Sequence, residues 1–313
     1  MAQSLNLVFC GTPQFAVPTL EALLASGFAV SLVVTRPDRP RGRGLELAAS
    51  PVKARAVELR LPITQPETIK NNPGFQSRLS SLQPDAIIVV GYGRIIPPWM
   101  LELPRLGNFN LHASLLPKYR GAAPIQWAIA RGESVTGVTT MRIDSGLDTG
   151  DILLQKELPI NPEDTSETLA PRLAAVGAEL MIQTLHDLQI GNVRLRLQNN
   201  ADATLAPVLK KEDGRIDFHR TAQEICNRLR GFQPWPGAFT VFRNKTLQVW
   251  AARPAQNAIP LAQVATQDDR LLVGSGENTA VEFIEVQLEG KKRMTARDFI
   301  HGYRPTAGET LGG

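Results

Sequence analysis

Apolar positions along this chain recur with two periods, and the switch between them outlines the fold. Residues 5–10 form a short apolar run, read as a strand and ended by Gly11-Thr12-Pro13. Over residues 15–26 the apolar side chains Phe15, Leu20, Leu23 and Leu24 return at helical spacing and stop at Gly27. Residues 29–34 read as a second strand, so the chain opens β-α-β, which implies parallel strands. Helices are expected at 51–59, with Pro51 in the first turn, and at 75–82. Residues 85–90 are apolar and β-branched almost throughout, as a central parallel strand covered on both faces requires. A short helix follows at 97–101, then a strand beginning near Leu106, a helix at 125–130, and strands at 135–143 and 152–158, the last antiparallel. A long helix spans 167–188, capped by Thr165 or Ser166 and ended by Gly191. This alternation predicts a Rossmann-like α/β fold with an open, mostly parallel sheet.

The pattern changes after residue 194. Residues 195–207 carry few helical or strand signals and read as a linker. Beyond them Thr221 caps a short helix, and Phe232-Gln233-Pro234-Trp235-Pro236 makes a turn. Short strands are expected at 238–242, 247–252, 271–273 and 281–286, a spacing that suggests a small, OB-like β-barrel. The expected organisation is therefore a catalytic domain over 1–194, the linker, and a smaller β-barrel domain over 208–313. A chain of 313 residues is long enough for two cores.

Candidate chemistry gathers at Asn110-Leu111-His112-Ala113-Ser114-Leu115-Leu116-Pro117. Side chains alternate faces along a strand, so Asn110 and His112 point one way and Leu111 the other. An amide and an imidazole aimed together at a strand's exit can act as a donor and an acid/base pair. The same residues equally suit a turn cap and a satisfied semi-buried histidine. A second acidic, Gly-punctuated stretch, Asp144-Ser145-Gly146-Leu147-Asp148-Thr149-Gly150-Asp151, follows the 135–143 strand. Loops at the carboxyl ends of strands in an open sheet meet in one crevice, where an Asp can hold and charge-tune the histidine. For at least one of the three Asp residues, Asx-turn chemistry is the expected role.

Composition narrows the classes. The apolar fraction is 43% and the charged fraction 20%, ordinary for a globular protein. A net charge of +4 and a pI near 9.2 mildly favour a polyanionic partner. The two cysteines, Cys10 and Cys226, exclude a disulfide framework. Four scattered histidines without metal-ligand spacing predict no metal. The start lacks a basic segment followed by a long apolar one, so a cytoplasmic protein with no membrane association is expected. Gly11 stands alone where a dinucleotide fingerprint needs three glycines, and no phosphate-cradling Gly-Lys-Ser/Thr loop occurs. Residues 36–44 carry four arginines, two prolines and two glycines and read as a mobile cationic loop, either solvated surface or a phosphate contact.

The two central stretches resemble the folate-dependent formyltransferases in Asn110-Leu111-His112, Ser114-Leu115-Leu116-Pro117 and Asp144-Ser145-Gly146-Leu147-Asp148-Thr149-Gly150. Lys118-Tyr119-Arg120-Gly121-Ala122-Ala123-Pro124, Phe9-Cys10-Gly11-Thr12-Pro13, Lys211-Glu212-Asp213-Gly214-Arg215-Ile216-Asp217 and Phe232-Gln233-Pro234-Trp235-Pro236-Gly237 extend the resemblance over nearly the whole chain, toward the tRNA-specific members. It implies Asn110, His112 and Asp148 as the catalytic set, Ser114, Leu115, Leu116 and Pro117 along the folate, and 10-formyltetrahydrofolate as donor. It implies initiator methionyl-tRNA as acceptor, a basic insertion with Arg43 that reaches the acceptor stem, and a β-barrel that binds tRNA; a monomer is expected. A formyltransferase acting on a small amine, and a non-catalytic RNA-binding protein, are the competing readings. The arginine loop and second domain argue against the first, the intact Asn110, His112 and Asp148 against the second.

Overall fold

Strand β1 (Asn6–Gly11) is buried along nearly its whole length, and its neighbours explain why. On one side it pairs in parallel with β2 (Ala29–Val34), reached through α1 (Val17–Ala25). On the other it pairs in parallel with β6 (Ala86–Val90), every residue of which is buried. The computed structural model describes residues 4–41 and 46–312. Between these strands lie β3 (Arg39–Arg41), β4 (Glu46–Ala48), α2 (Pro51–Glu58), β5 (Ile63–Thr64) and α3 (Pro73–Ser81). After β6 come α4 (Pro98–Leu101), β7 (Gly107–His112), α5 (Pro124–Ala130), β8 (Val135–Arg142), β9 (Ile152–Pro159) and α6 (Ser166–Gln189). The seven-stranded sheet runs β5-β2-β1-β6-β7-β8-β9. Its first five strands are parallel, as expected. β8 and β9 are antiparallel to their neighbours.

Helix starts follow their caps. The Ser50 hydroxyl accepts from the Lys53 N–H, the Asn72 amide oxygen from the Phe75 N–H, and the Thr165 hydroxyl from the Thr168 N–H. The first helix begins at Val17 rather than Phe15, because a 3-10 turn over Gln14–Ala16 precedes it. Under one face of the sheet Val8, Cys10, Leu32, Ile87 and Val89 pack with Phe75 and Leu79 of α3. The cationic stretch is not structureless throughout: Arg39–Arg41 and Glu46–Ala48 pair as antiparallel arms. Arg43, which falls between them in sequence, lies outside the described residues.

The chain forms two compact units. One holds the residues up to Pro124 with Val135–Pro159 and Ala170–Pro207; the other holds Ile125–Ser134, Ile160–Leu169 and the residues from Val208 onward. In the second, α7 (Ala222–Gly231) starts at a capping box between Thr221 and Glu224. Then come β10 (Ala238–Phe242), β11 (Lys245–Ala255), β12 (Val264–Gln267), β13 (Arg270–Ser275), β14 (Thr279–Leu288), β15 (Met294–Thr295) and α8 (Ala296–Tyr303). They form an antiparallel sheet in the order β10-β11-β14-β13-β12, with β15 on β14. The last residues bridge its two ends: Leu311 N–H donates to Ala262 O beside β12, and Gly312 N–H donates to Val241 O of β10. Leu311 is buried in the core between them with Leu247, Val273, Phe283 and Phe299.

Candidate active site

Strand β7 supplies the first two groups. Its register sets Asn110 beside Val89 of β6 and His112 beside Thr139 of β8. Leu111 packs against α6 at Gly177, where an added Cβ would lie 2.7 Å from the Leu111 Cδ2. Its neighbours Asn110 and His112 are therefore on the other face, as strand alternation requires. His112 is 6% exposed, and its Nε2–H donates to the Tyr119 carbonyl at 2.9 Å. Asn110 is half-buried, and among the described residues nothing hydrogen-bonds its carboxamide.

The segment after β7 is built for rigidity. The Thr139 hydroxyl donates to Ser114 O at 2.6 Å and accepts from the Leu116 N–H. The Ser114 hydroxyl donates to Lys118 O at 2.6 Å, and Gln155 donates to Leu116 O at 2.9 Å. Ser114 and Leu116 are thus buried, Leu116 against Met141 and Ile152, while Leu115 and Pro117 keep partial exposure. The Leu116–Pro117 peptide is cis.

The third group arrives by an unexpected route. β8 is antiparallel to β7, with Arg142 opposite Phe109, so the acidic loop starts beside the beginning of β7 and not at the shared carboxyl edge. It then doubles back, and Arg142 N–H donates to Asp151 O. Asp144 does take the Asx role: its carboxylate accepts from the Gly146 N–H and the Thr149 hydroxyl. Asp148, at φ +52°, brings its Oδ2 within 3.7 Å of His112 Nδ1. That oxygen also accepts from the Gly121 N–H at 2.9 Å. Gly121 sits at φ +123°, and an added Cβ there would stand 2.5 Å from Ala206 O, so only glycine fits.

The ring is therefore held between two acceptors, a carbonyl at Nε2 and a carboxylate facing Nδ1. An imidazole in that setting can exchange a proton at Nδ1 while its plane stays fixed. The Asn110 amide on the same face, unpartnered among the described residues, can donate to an oxygen that gains negative charge.

Three contributors escaped the sequence reading. The Tyr119 carbonyl is backbone and has no side-chain signature. Arg120 is buried, and its guanidinium donates to Gln198 Oε1 at 3.0 and 2.8 Å and to Asn200 Oδ1 at 2.9 Å. Gln198 belongs to the stretch expected as a linker. That stretch is bonded along the first unit: Tyr119 N–H donates to Thr204 Oγ1, Arg120 N–H to Thr204 O, and Ala206 N–H to Arg120 O. Among the described residues no group of three or more His, Cys, Asp or Glu side chains could hold a metal ion, and no helix is long and apolar enough to cross a membrane.

Comparison with known proteins places these features in a family. Residues 5–185 match the model for the formyl transferase domain, and residues 208–304 the model for the formyl transferase C-terminal domain. The methionyl-tRNA formyltransferase of Koribacter versatilis is 65% identical over 98% of this chain and 98% of its own length. That of Acidobacterium capsulatum is 59% identical over 95% of this chain and 96% of its own. An N-formyltransferase from Helicobacter canadensis, solved with folinic acid and dTDP-3-aminofucose, shares the fold with a TM-score of 0.66 at 21% identity, covering 88% of this chain and 98% of that one.

Proposed function

Because the chain belongs to the formyl transferase family and, within it, to the methionyl-tRNA formyltransferases, we propose how its residues carry out the formylation of methionyl-tRNA. The donor is 10-formyltetrahydrofolate and the acceptor is the α-amine of methionine on initiator tRNA. The amine attacks the formyl carbon, and negative charge develops on the formyl oxygen.

Asn110 donates a hydrogen bond to that oxygen. Its free carboxamide supports this role, since a preorganised donor must be unspent before the substrate arrives. His112 takes up the proton lost by the amine and returns it toward the departing folate nitrogen, exchanging it at Nδ1. Asp148 stabilises the imidazolium form of the ring. Its distance of 3.7 Å fits an ion pair that tightens during reaction, and the Gly121 amide fixes its orientation. No covalent intermediate is required. Leu115 and Pro117 offer the partly exposed apolar surface of the folate-lining segment, with Ser114 and Leu116 shaping the turn beneath. The basic insertion around Arg43 and the β-rich second unit contact the tRNA, and the enzyme works as a cytoplasmic monomer.

The observation that carries this reading is the juxtaposition of His112, Asp148 and an unpaired Asn110 in one unit. The test supplies 10-formyltetrahydrofolate and compares charged initiator tRNA with free methionine and sugar amines as acceptors. Formylation of the charged tRNA alone is expected; preferential formylation of a small amine would sink the assignment.

A further inference from the structure

We infer that Gln198, backed by Arg120, is a positioning residue for formyl transfer. It ties together the two loops that meet at His112. Both ends of its side-chain amide are engaged. Its Nε2 donates to Asp148 O at 2.9 Å and to Gly150 O at 2.7 Å, and its Oε1 accepts twice from the Arg120 guanidinium. Arg120 lies between Tyr119, whose carbonyl holds His112 Nε2, and Gly121, whose N–H holds the Asp148 carboxylate. One amide therefore spans the loop that anchors the imidazole and the loop that carries the carboxylate. Asn200 gives the guanidinium a further acceptor, and the Thr204 and Ala206 backbone bonds keep this stretch alongside residues 119–121.

The need for such a tie follows from the route of the acidic loop. It enters from the wrong end of β7, so no strand pairing fixes the distance from Asp148 to His112. Asp148 at φ +52° is also a conformation that a non-glycine residue keeps only when its surroundings impose it. Gln198 imposes it by binding the carbonyl of that residue. Losing the tie lets the carboxylate drift while the substrate surfaces stay intact. The loss therefore falls on kcat and spares KM.

This inference rests on the catalytic reading of Asp148, and a double-mutant cycle separates the two. Gln198→Met is expected to lower kcat about 10- to 100-fold, as a displacement near 1 Å does, with KM for folate and tRNA within about twofold. Placed on Asp148→Ala, it should cost nothing further, because a residue that acts through Asp148 has nothing left to position. Gln198→Glu keeps the acceptor for Arg120 but sets an oxygen against two carbonyls. It should reproduce the kcat loss, and it carries the same cycle if Gln198→Met does not fold. Unchanged kcat in the folded variants, or a loss that multiplies with that of Asp148→Ala, would overturn the inference alone. Full turnover in Asp148→Ala by itself would overturn the catalytic reading, and the inference with it.

Discussion

The Nε2–H of His112 donates to the Tyr119 carbonyl, which leaves Nδ1 as the ring atom that meets Asp148. A histidine anchored at one nitrogen by backbone keeps its orientation whatever happens to the carboxylate. Asp148→Asn should therefore preserve folding and folate binding while lowering kcat by roughly 10²- to 10⁴-fold, the usual worth of a positioned acid–base group. Single-turnover formylation with equilibrium folate binding measured alongside checks this. Near-normal turnover in both Asp148→Asn and His112→Ala would remove the pair from the mechanism.

The role proposed for Asn110 carries its own signature. Asn110→Ala should cost about 3–4 kcal/mol in the chemical step, the value of one oxyanion donor, with little change in KM for tRNA. Asn110→Asp, which replaces the donor by an acceptor, should be at least as poor. The comparison of kcat/KM across the two variants decides.

Gly121 is constrained on two counts, its positive φ and the 2.5 Å approach of Ala206 O to any added Cβ. Gly121→Ala should destabilise the protein by about 1–3 kcal/mol from backbone strain alone. It should also displace the N–H that holds Asp148. Thermal melting and turnover should fall together, whereas Gly191→Ala, at φ +70° with open space around the Cβ, should affect melting only.

Glu282 gives the second unit a pH-dependent component. Burial pushes its carboxyl upward, but hydrogen bonds and charge from Arg270 and Arg253 outweigh burial and hold the pKa below the usual carboxylate range. A carboxyl depressed in the folded state stabilises above its unfolded pKa of about 4.3, and that stability is lost as pH falls through the lower folded value. Glu282→Gln should cost roughly 1.5–3 kcal/mol at pH 7. The gap to the parent protein should close below about pH 4. Urea midpoints measured from pH 3 to 7 provide the check, and a pH-independent gap contradicts it.

Both thiols are shielded. Burial pushes Cys226 up to about 12, only partly opposed by Arg230, and pushes the fully buried Cys10 up as well. Since the thiolate is the reactive form, neither should react with a disulfide reagent at pH 8 in the native protein, and both should react in denaturant. Fast labelling of the folded enzyme would contradict the burial.

Much of the first unit was legible because its signals are local. Of the expected strand 85–90, residues 86–90 are apolar on both faces and sit at the centre of the sheet. Asn110 and His112 share a face because strand alternation fixes it, and the Leu111 contact with Gly177 agrees. In the second unit, Thr221 caps α7 as its position suggested. What escaped was set by distant partners. Nothing in residues 135–142 states the direction of that strand, so the path of the acidic loop was invisible. Gln198 binds a carbonyl 50 residues away and has no spacing to betray it. The arms Arg39–Arg41 and Glu46–Ala48 lack β-branched residues and look like loop. Helix α8 had a readable start, since the Thr295 hydroxyl accepts from the Asp298 N–H, yet no helix was expected there.

The closing stretch around Leu311 and Gly312 fills the gap between β10 and β12. A chain stopped after residue 307 would bare two strand margins at once, each with unpaired peptide groups and a neighbouring apolar floor. Such margins template pairing with other chains. Light scattering of the shortened protein should register self-association while the first unit's folate affinity holds.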